Sequence, residues 1–494
     1  MSWRVAGLLF SLGVVTRIPF QTEFLWAHDA VLYTRAIERF DPLDQRPQAP
    51  GYLYYVLLIR AMYAIVGDPN RAMTIISLIA GAAAVALLYL FAARLYDERT
   101  ARASGAFMLT AVTFWAYGGV AYPYTLLAAL SIGCAMLFWR ALRAETGRGR
   151  HLLLATTAYG IAIGFRTDLA VFLAPLWLMA AWTTPLLWVI ASAALGVLLV
   201  LVWFFASAAF DGGVSTLLDA LRMQGKFVDE RYSVFGDLGL RALYGNTYEL
   251  ARFLGRGLTF LAPLLAAVPL SASARRIEMS DRWRIAFVLL WALTPLVIYI
   301  PIHVGEYGYV FSMLPGLCVI AARGAVALAR GARMPRSLPW IVATVALANA
   351  AVFLVSDSPL SARDVVRRDR GVGERIDRLN QPDLAGATVL AAYDALIVEY
   401  YFSEDERLTT DHVLVSYDPS LPRREMVFST RICSPGGDVC RDREPVLAVW
   451  DDLIRVSGTG WEVLTMPHGV KLRVARNMSN VKVIIDGLSV EIVR

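Results

Sequence analysis

Uncharged apolar runs close to the length of a bilayer crossing recur from Val5 to Val355 and then stop. A buried helix in a soluble protein averages about eleven or twelve residues, whereas a crossing takes about twenty. The runs cover Val5–Phe20, Met73–Ala92, Ala103–Val120, Tyr124–Trp139, Leu152–Phe165, Leu169–Trp182, Leu186–Ala209, Phe253–Leu270, Ile285–Ile302, Tyr309–Ala322 and Leu338–Val355. They predict about eleven spans, the shorter ones tilted or partly re-entrant in a helical bundle. One further apolar run, Tyr52–Val66, carries Arg60 at its centre and follows Pro47 and Pro50, which predicts a re-entrant or interfacial helix.

The loops set the orientation, because arginine and lysine gather in short cytoplasmic loops. Arg94, Arg99 and Arg102 fall in one loop, and Arg140, Arg143, Arg148 and Arg150 in the next of the same parity. Arg275, Arg276, Arg282 and Arg284, then Arg330, Arg333 and Arg336, continue the series. This parity predicts a cytoplasmic N-terminus and an extracytoplasmic C-terminal part. The outer side then holds the first loop from Gln21 to Arg71, the turns at Tyr122 and Arg166, the loop from Asp211 to Glu249, and the turn at His303. Within Asp211–Glu249, Leu217, Leu218 and Leu221 recur at helical spacing beside Arg222 and Lys226, as in a helix lying on a membrane surface.

Past Val355 charge rises abruptly, which divides the chain into a membrane domain (1–356) and a soluble domain (357–494). Val365–Leu379 reads as an amphipathic helix, Val389–Tyr393 and the alternating Val481–Val493 region as strands, and Leu396–Phe402 as a helix. The fold class is therefore an α-helical polytopic membrane bundle with a small C-terminal mixed α/β domain. Composition agrees: 57% of the residues are hydrophobic and 18% charged, where a soluble domain is about a quarter charged. The net charge of +6 comes mainly from arginines in loops and forms no stripe on a soluble face, so it does not point to nucleic acid. Cys134 and Cys318 sit in apolar runs as packing residues. Cys433 and Cys440 flank Ser434-Pro435-Gly436-Gly437, a spacing that permits a local disulfide in an oxidising compartment or two unrelated thiols.

The first outer loop opens Trp26-Ala27-His28-Asp29-Ala30-Val31-Leu32-Tyr33, just past a span that ends near Arg17, and continues through Arg46-Pro47-Gln48-Ala49-Pro50-Gly51-Tyr52. With Gly164-Phe165-Arg166-Thr167-Asp168 and His303-Val304-Gly305-Glu306-Tyr307-Gly308-Tyr309, all on the same predicted side, it resembles the GT-C superfamily of membrane glycosyltransferases. The resemblance is to the branch of protein O-mannosyltransferases and the lipid A aminoarabinose transferase. It implies inverting transfer of a sugar from a polyprenyl-phosphate-linked donor, at the outer face of a plasma membrane, to a glycan, lipid or protein acceptor. Two departures stand out. The turn Ala121-Tyr122-Pro123-Tyr124 lacks the acidic residue that many members carry there, and Asp29 is followed by Ala30 instead of a second acid. No metal is assigned.

The chemistry agrees with that implication. Attack by a hydroxyl needs a base, and a phosphate leaving group needs cations but no second carboxylate as general acid. Asp29 is the candidate base. Arg166 and His303 are candidates for the phosphate, with Arg17, Arg222 and Lys226 as further cations, while His28, Tyr33, Glu306 and Tyr307 complete the predicted substrate contacts. Plainer roles compete: Asp29 as a helix cap, Arg166 and Asp168 as a mutual pair, the tyrosines as an interfacial belt. Asp41 and Asp44 read as solvated loop acids. A secondary transporter, or a non-catalytic anchor presenting a binding domain, are the rival classes. A transporter would show ionisable or broken spans in paired repeats, which this sequence does not, although Pro175 and Pro295 could break spans.

Overall fold

A computed structural model describes residues 2–270, 281–331 and 335–392, then 394–405, 407–408, 412–416, 431–433, 440–442, 446–451, 454–457, 460–476, 482–485 and 488–491. The chain divides into two compact units. The first comprises Met1–Glu23 and Leu32–Val365, and the second comprises Phe24–Val31 and Val366–Arg494.

The first unit is helical. In chain order it holds α1 (Trp3–Val15), α2 (His28–Glu38, whose first residues belong to the second unit), α3 (Leu53–Val66), α4 (Pro69–Leu95), α5 (Glu98–Thr110), α6 (Val112–Tyr117) and α7 (Tyr124–Arg143). Then come α8 (Arg148–Phe165), α9 (Leu169–Trp182), α10 (Leu186–Phe210), α11 (Val214–Tyr232), α12 (Leu240–Leu258), α13 (Ala262–Leu270), α14 (Arg282–Leu293), α15 (Leu296–Tyr299), α16 (Leu314–Gly331) and α17 (Leu338–Val355). Among the described residues, seven helices are long and apolar enough to cross a membrane. Each of the apolar runs in the sequence is helical, though several are divided. Ala103–Val120 is split between α5 and α6 at Ala111, whose backbone is extended (ψ 121°), and Ile285–Ile302 between α14 and α15. The Tyr52–Val66 run becomes α3, a helix of 14 residues, short for a crossing.

Burial separates core from periphery. α4 packs against α1, α5 and α7 and buries much of its length, including Ala80, Gly81, Ala82 and Ala84. Small residues let backbones approach where lipid offers no hydrophobic drive. A Cβ on Gly13 of α1 would stand 2.9 Å from Ala82 Cα. α10 is the opposite case, exposing Leu187, Val197, Leu198 and Phe205 along its flank. A face that apolar needs lipid as its solvent. Arg60, in the middle of α3, donates from Nη2 to the Ala36 carbonyl at 2.8 Å and lies over the Phe210 ring, which accounts for a cation in an apolar helix.

The second unit is a mixed α/β fold. α18 (Ala362–Leu379, reaching in from the first unit) and α19 (Ala395–Ser403) accompany a five-stranded sheet. Its order is β2 (Val413–Ser416), β1 (Thr388–Ala391), β5 (Leu447–Val449), β8 (Lys471–Ala475), β7 (Trp461–Thr465). β1 runs parallel to β2 and β5, and β8 is antiparallel to both its neighbours. β6 (Arg455–Ser457), β9 (Lys482–Ile485) and β10 (Leu488–Glu491) form a second sheet. Leu390, Leu447, Val449, Ile454 and Val483 make the core between strands. β3 (Arg431–Cys433) pairs with β4 (Cys440–Asp442) so that Cys433 faces Cys440 in register. Their side chains, and the Ser434–Gly437 stretch, lie outside the described residues.

Candidate functional site

The turn between α8 and α9 presents Arg166, buried at 6% exposure. α8 ends at Phe165 with Arg166 in extended backbone (φ −153°, ψ 110°), which swings its side chain out of the helical path. Its Nε donates to Asp168 Oδ2 at 3.0 Å. The guanidinium lies over three tyrosine rings, Tyr124 at 4.8 Å, Tyr309 at 5.0 Å and Tyr52 at 5.8 Å. Among the described residues its two terminal nitrogens take no hydrogen-bond partner. Burial works against the charge, but Asp168 and the tyrosines outweigh it and hold the group well above the ordinary arginine pKa. Each cation–π contact contributes about 0.5–2 kcal/mol in a desolvated setting.

Each ring under Arg166 comes from a different element. Tyr52 precedes α3 in left-handed backbone (φ 48°, ψ 43°), a conformation that costs a bulky residue about 1 kcal/mol or more and is retained where the surroundings demand it. Tyr124 opens α7, in the turn where an acidic residue is absent. Tyr309 lies in the 3-10 helix Tyr307–Ser312 and its carbonyl accepts the Tyr299 hydroxyl at 2.7 Å. Tyr33 of α2 joins the group edge-on to Tyr55 (5.0 Å) and Tyr52 (5.9 Å).

His303 lies beside the same group, tilted on Tyr232 at 4.3 Å and edge-on to Tyr309 at 5.6 Å. Burial first, and the Arg166 charge second, push its pKa down to about 4. His303 is therefore neutral at pH 7 and offers a hydrogen bond, not the positive charge expected from the sequence. Its unfolded pKa is higher, so any stability it contributes is present above about pH 6.5 and is lost as pH falls through 4.

The other predicted residues separate. Glu306 accepts the Tyr117 hydroxyl at 3.1 Å, and Tyr307 packs on Phe253 at 4.5 Å with Arg252 over it. Arg17 is completely buried, and its terminal nitrogens bond Thr16 (2.8 Å) and the Leu109 carbonyl (2.6 Å), so it fastens the end of α1. Arg222 and Lys226 are exposed on α11 and pair with Asp219 and Glu230 of their own helix. His28 and Asp29 open α2, with Asp29 in its first turn, in the segment assigned to the second unit. Asp41 is not a solvated acid. It is 8% exposed and caps a 3-10 turn by accepting the Asp44 N–H at 3.1 Å. Among the described residues, no three His, Cys, Asp or Glu side chains gather as metal ligands would.

The chain is similar to the ArnT of Cupriavidus metallidurans in its apo state, at 11% identity and TM-score 0.51 over 96% of this chain and 97% of that one. This is the GT-C fold. A second GT-C structure, the Archaeoglobus fulgidus oligosaccharyltransferase in complex with Zn and sulfate, is similar at 14% identity and TM-score 0.50 over 84% of this chain. The chain spans 62% of that protein's length. Residues 48–209 match the family described as dolichyl-phosphate-mannose-protein mannosyltransferase. No curated protein matches the chain. In GT-C terms, the matched family region begins just before Tyr52 and includes Tyr124, Arg166 and Asp168. The signal for Tyr52 and Arg166 was present in the sequence motifs, whereas Tyr124 and Tyr232 gave none beyond being tyrosines.

Proposed function

We propose that this protein is an inverting glycosyltransferase that moves a sugar from a polyprenyl-phosphate-linked donor to an acceptor hydroxyl at the outer face of the plasma membrane. The observation that carries this reading is the Arg166 fork, buried, charged, oriented by Asp168 through Nε and left with both terminal nitrogens for an anion. A planar fork suits two phosphate oxygens, and in a site of low dielectric a charge-assisted pair is stronger than in water. Neutral His303 adds a hydrogen bond without adding charge. The GT-C fold and the family match over residues 48–209 support the same reaction class.

Asp29 takes the proton of the acceptor hydroxyl as its oxygen attacks the anomeric carbon from the face opposite the phosphate. The bond from that carbon to the phosphate oxygen breaks, the electron pair leaves with the polyprenyl phosphate, and Arg166 meets the charge as it grows. No general acid is required, because the leaving group is a phosphate and not an alkoxide.

The test is Asp29→Asn, which keeps size and removes proton-accepting strength. Transfer of radiolabelled sugar from lipid-linked donor falls about a hundred- to ten-thousandfold, with donor affinity unchanged. Asp44→Asn is the control, since Asp44 is an exposed partner of Arg46 at 2.9 Å and its loss leaves transfer intact. Full turnover by folded Asp29→Asn protein removes the mechanism, and substrate uptake into proteoliposomes in place of transfer returns the chain to the transporters.

A further inference from the structure

The segment Phe24–Val31 groups with residues 366–494 and not with the chain on either side of it. The contacts within that unit are specific. The Phe24 N–H donates to Asp369 Oδ1 at 2.9 Å, and the Leu25 N–H donates to the Tyr401 Oη at 2.8 Å. The Phe24 ring stands edge-on to Tyr401 at 5.5 Å, and Arg407 lies over both rings, at 5.3 and 5.7 Å. Arg368 covers Trp26 at 4.6 Å. Gly373 of α18 leaves room for the Phe24 ring, since a Cβ there would stand 2.8 Å from its Cζ. Leu25, Trp26, Asp369 and Tyr401 are all buried.

These fastenings end two residues before α2 begins and three before Asp29. A strap with two consecutive backbone N–H groups held by side chains from α18 and α19 has its path fixed, and with it the point at which α2 starts. We propose that the C-terminal domain is the aligner of the catalytic loop, with Asp369 and Tyr401 as positioning residues that set Asp29 through the strap. The proposal rests on the reading of Asp29 as the base. A general base acts only within hydrogen-bond reach of its proton, and a displacement of about 1 Å can cost a hundredfold.

The experiment uses the full chain in nanodiscs and the variants Tyr401→Phe, Asp369→Ala and Asp369→Asn, each also made in the Asp29→Asn background. Amide hydrogen exchange over residues 22–27 reports the strap independently of activity. Tyr401→Phe and Asp369→Ala speed exchange at Leu25 and Phe24 respectively, and lower the turnover number on the order of ten- to a hundredfold with donor affinity unchanged. Asp369→Asn keeps an acceptor oxygen and restores both. In the Asp29→Asn background Tyr401→Phe causes no further loss, because both act through one group. A freed strap with unaltered turnover overturns the proposal while leaving Asp29 as base, and so does an additive loss in the Asp29→Asn background. Full activity of Asp29→Asn itself refutes the underlying reading, whatever the exchange shows. If Asp369→Ala fails to fold, Tyr401→Phe, which keeps the ring, decides alone.

Discussion

Arg166 makes its contacts through shape as well as charge: one edge on Asp168, two terminal nitrogens outward, a flat face on three tyrosines. A lysine would keep the charge and lose the fork and the stacking face, so Arg166→Lys weakens donor binding nearly as much as Arg166→Ala. The loss is on the order of ten- to a hundredfold, read by titrating lipid-linked donor against tryptophan fluorescence. Asp211 gives a prediction about stability. It follows α10 at 6% exposure, and burial first, then the neighbouring Asp41, push its carboxyl up to about 6. A carboxyl raised above its unfolded value of about 4 binds its proton more tightly in the folded protein, so stability is lost as pH rises through 6. Asp211→Asn therefore raises the melting temperature at pH 7.5, by roughly 2–4 °C, and the advantage shrinks toward pH 5. A thermal-shift series over that range checks both sign and window.

At the scale of elements, the 3-10 helix Tyr307–Ser312 supports the Arg166 site by what it lacks. A Cβ on Gly308 would run into the ring of Tyr124, one of the faces beneath the guanidinium. Gly308→Ala pushes that ring aside without touching a single donor group, and donor affinity drops several-fold to tenfold, while Gly133→Ala on α7, where a Cβ meets nothing within 4 Å, leaves it unchanged. The helices themselves were legible, because lipid forces long apolar runs to satisfy their backbone internally. α11 was legible from the spacing of Leu217, Leu218 and Leu221, and α18 from its two-faced pattern. Tyr124 was not, since a tyrosine at the start of a span reads as part of an interfacial belt until a cation is found against it. Asp41 was misread for a related reason: its burial arises beside Asp211, distant in sequence, and no local pattern announces that. The short strands of the second unit, three to five residues each, carry too few alternations for register, and only β1 and the β9–β10 region stood out.

For the whole molecule, the parity of the arginine loops predicts that the second unit lies on the outer side of the membrane. Alkaline phosphatase fused after Arg494 is then active and a fluorescent protein at the same point dark, and the reverse pattern would put Asp29 on the side away from the proposed chemistry. On that side the disulfide expected from the Cys433–Cys440 spacing, whose strands pair in register, predicts thiols that resist alkylation until a reductant is added, and free thiols in protein purified without reductant refute it. The strap also has a consequence for timing. Phe24 and Asp369 are 345 positions apart, and Leu25 and Tyr401 376. At about 5–20 residues per second, the strap itself leaves the ribosome roughly twenty seconds to over a minute before its two acceptors exist. Under the alignment proposed above, a nascent chain carries Asp29 unaligned until Asp369 and Tyr401 have been made and have taken hold of the strap, so that donor lipid is not spent before then.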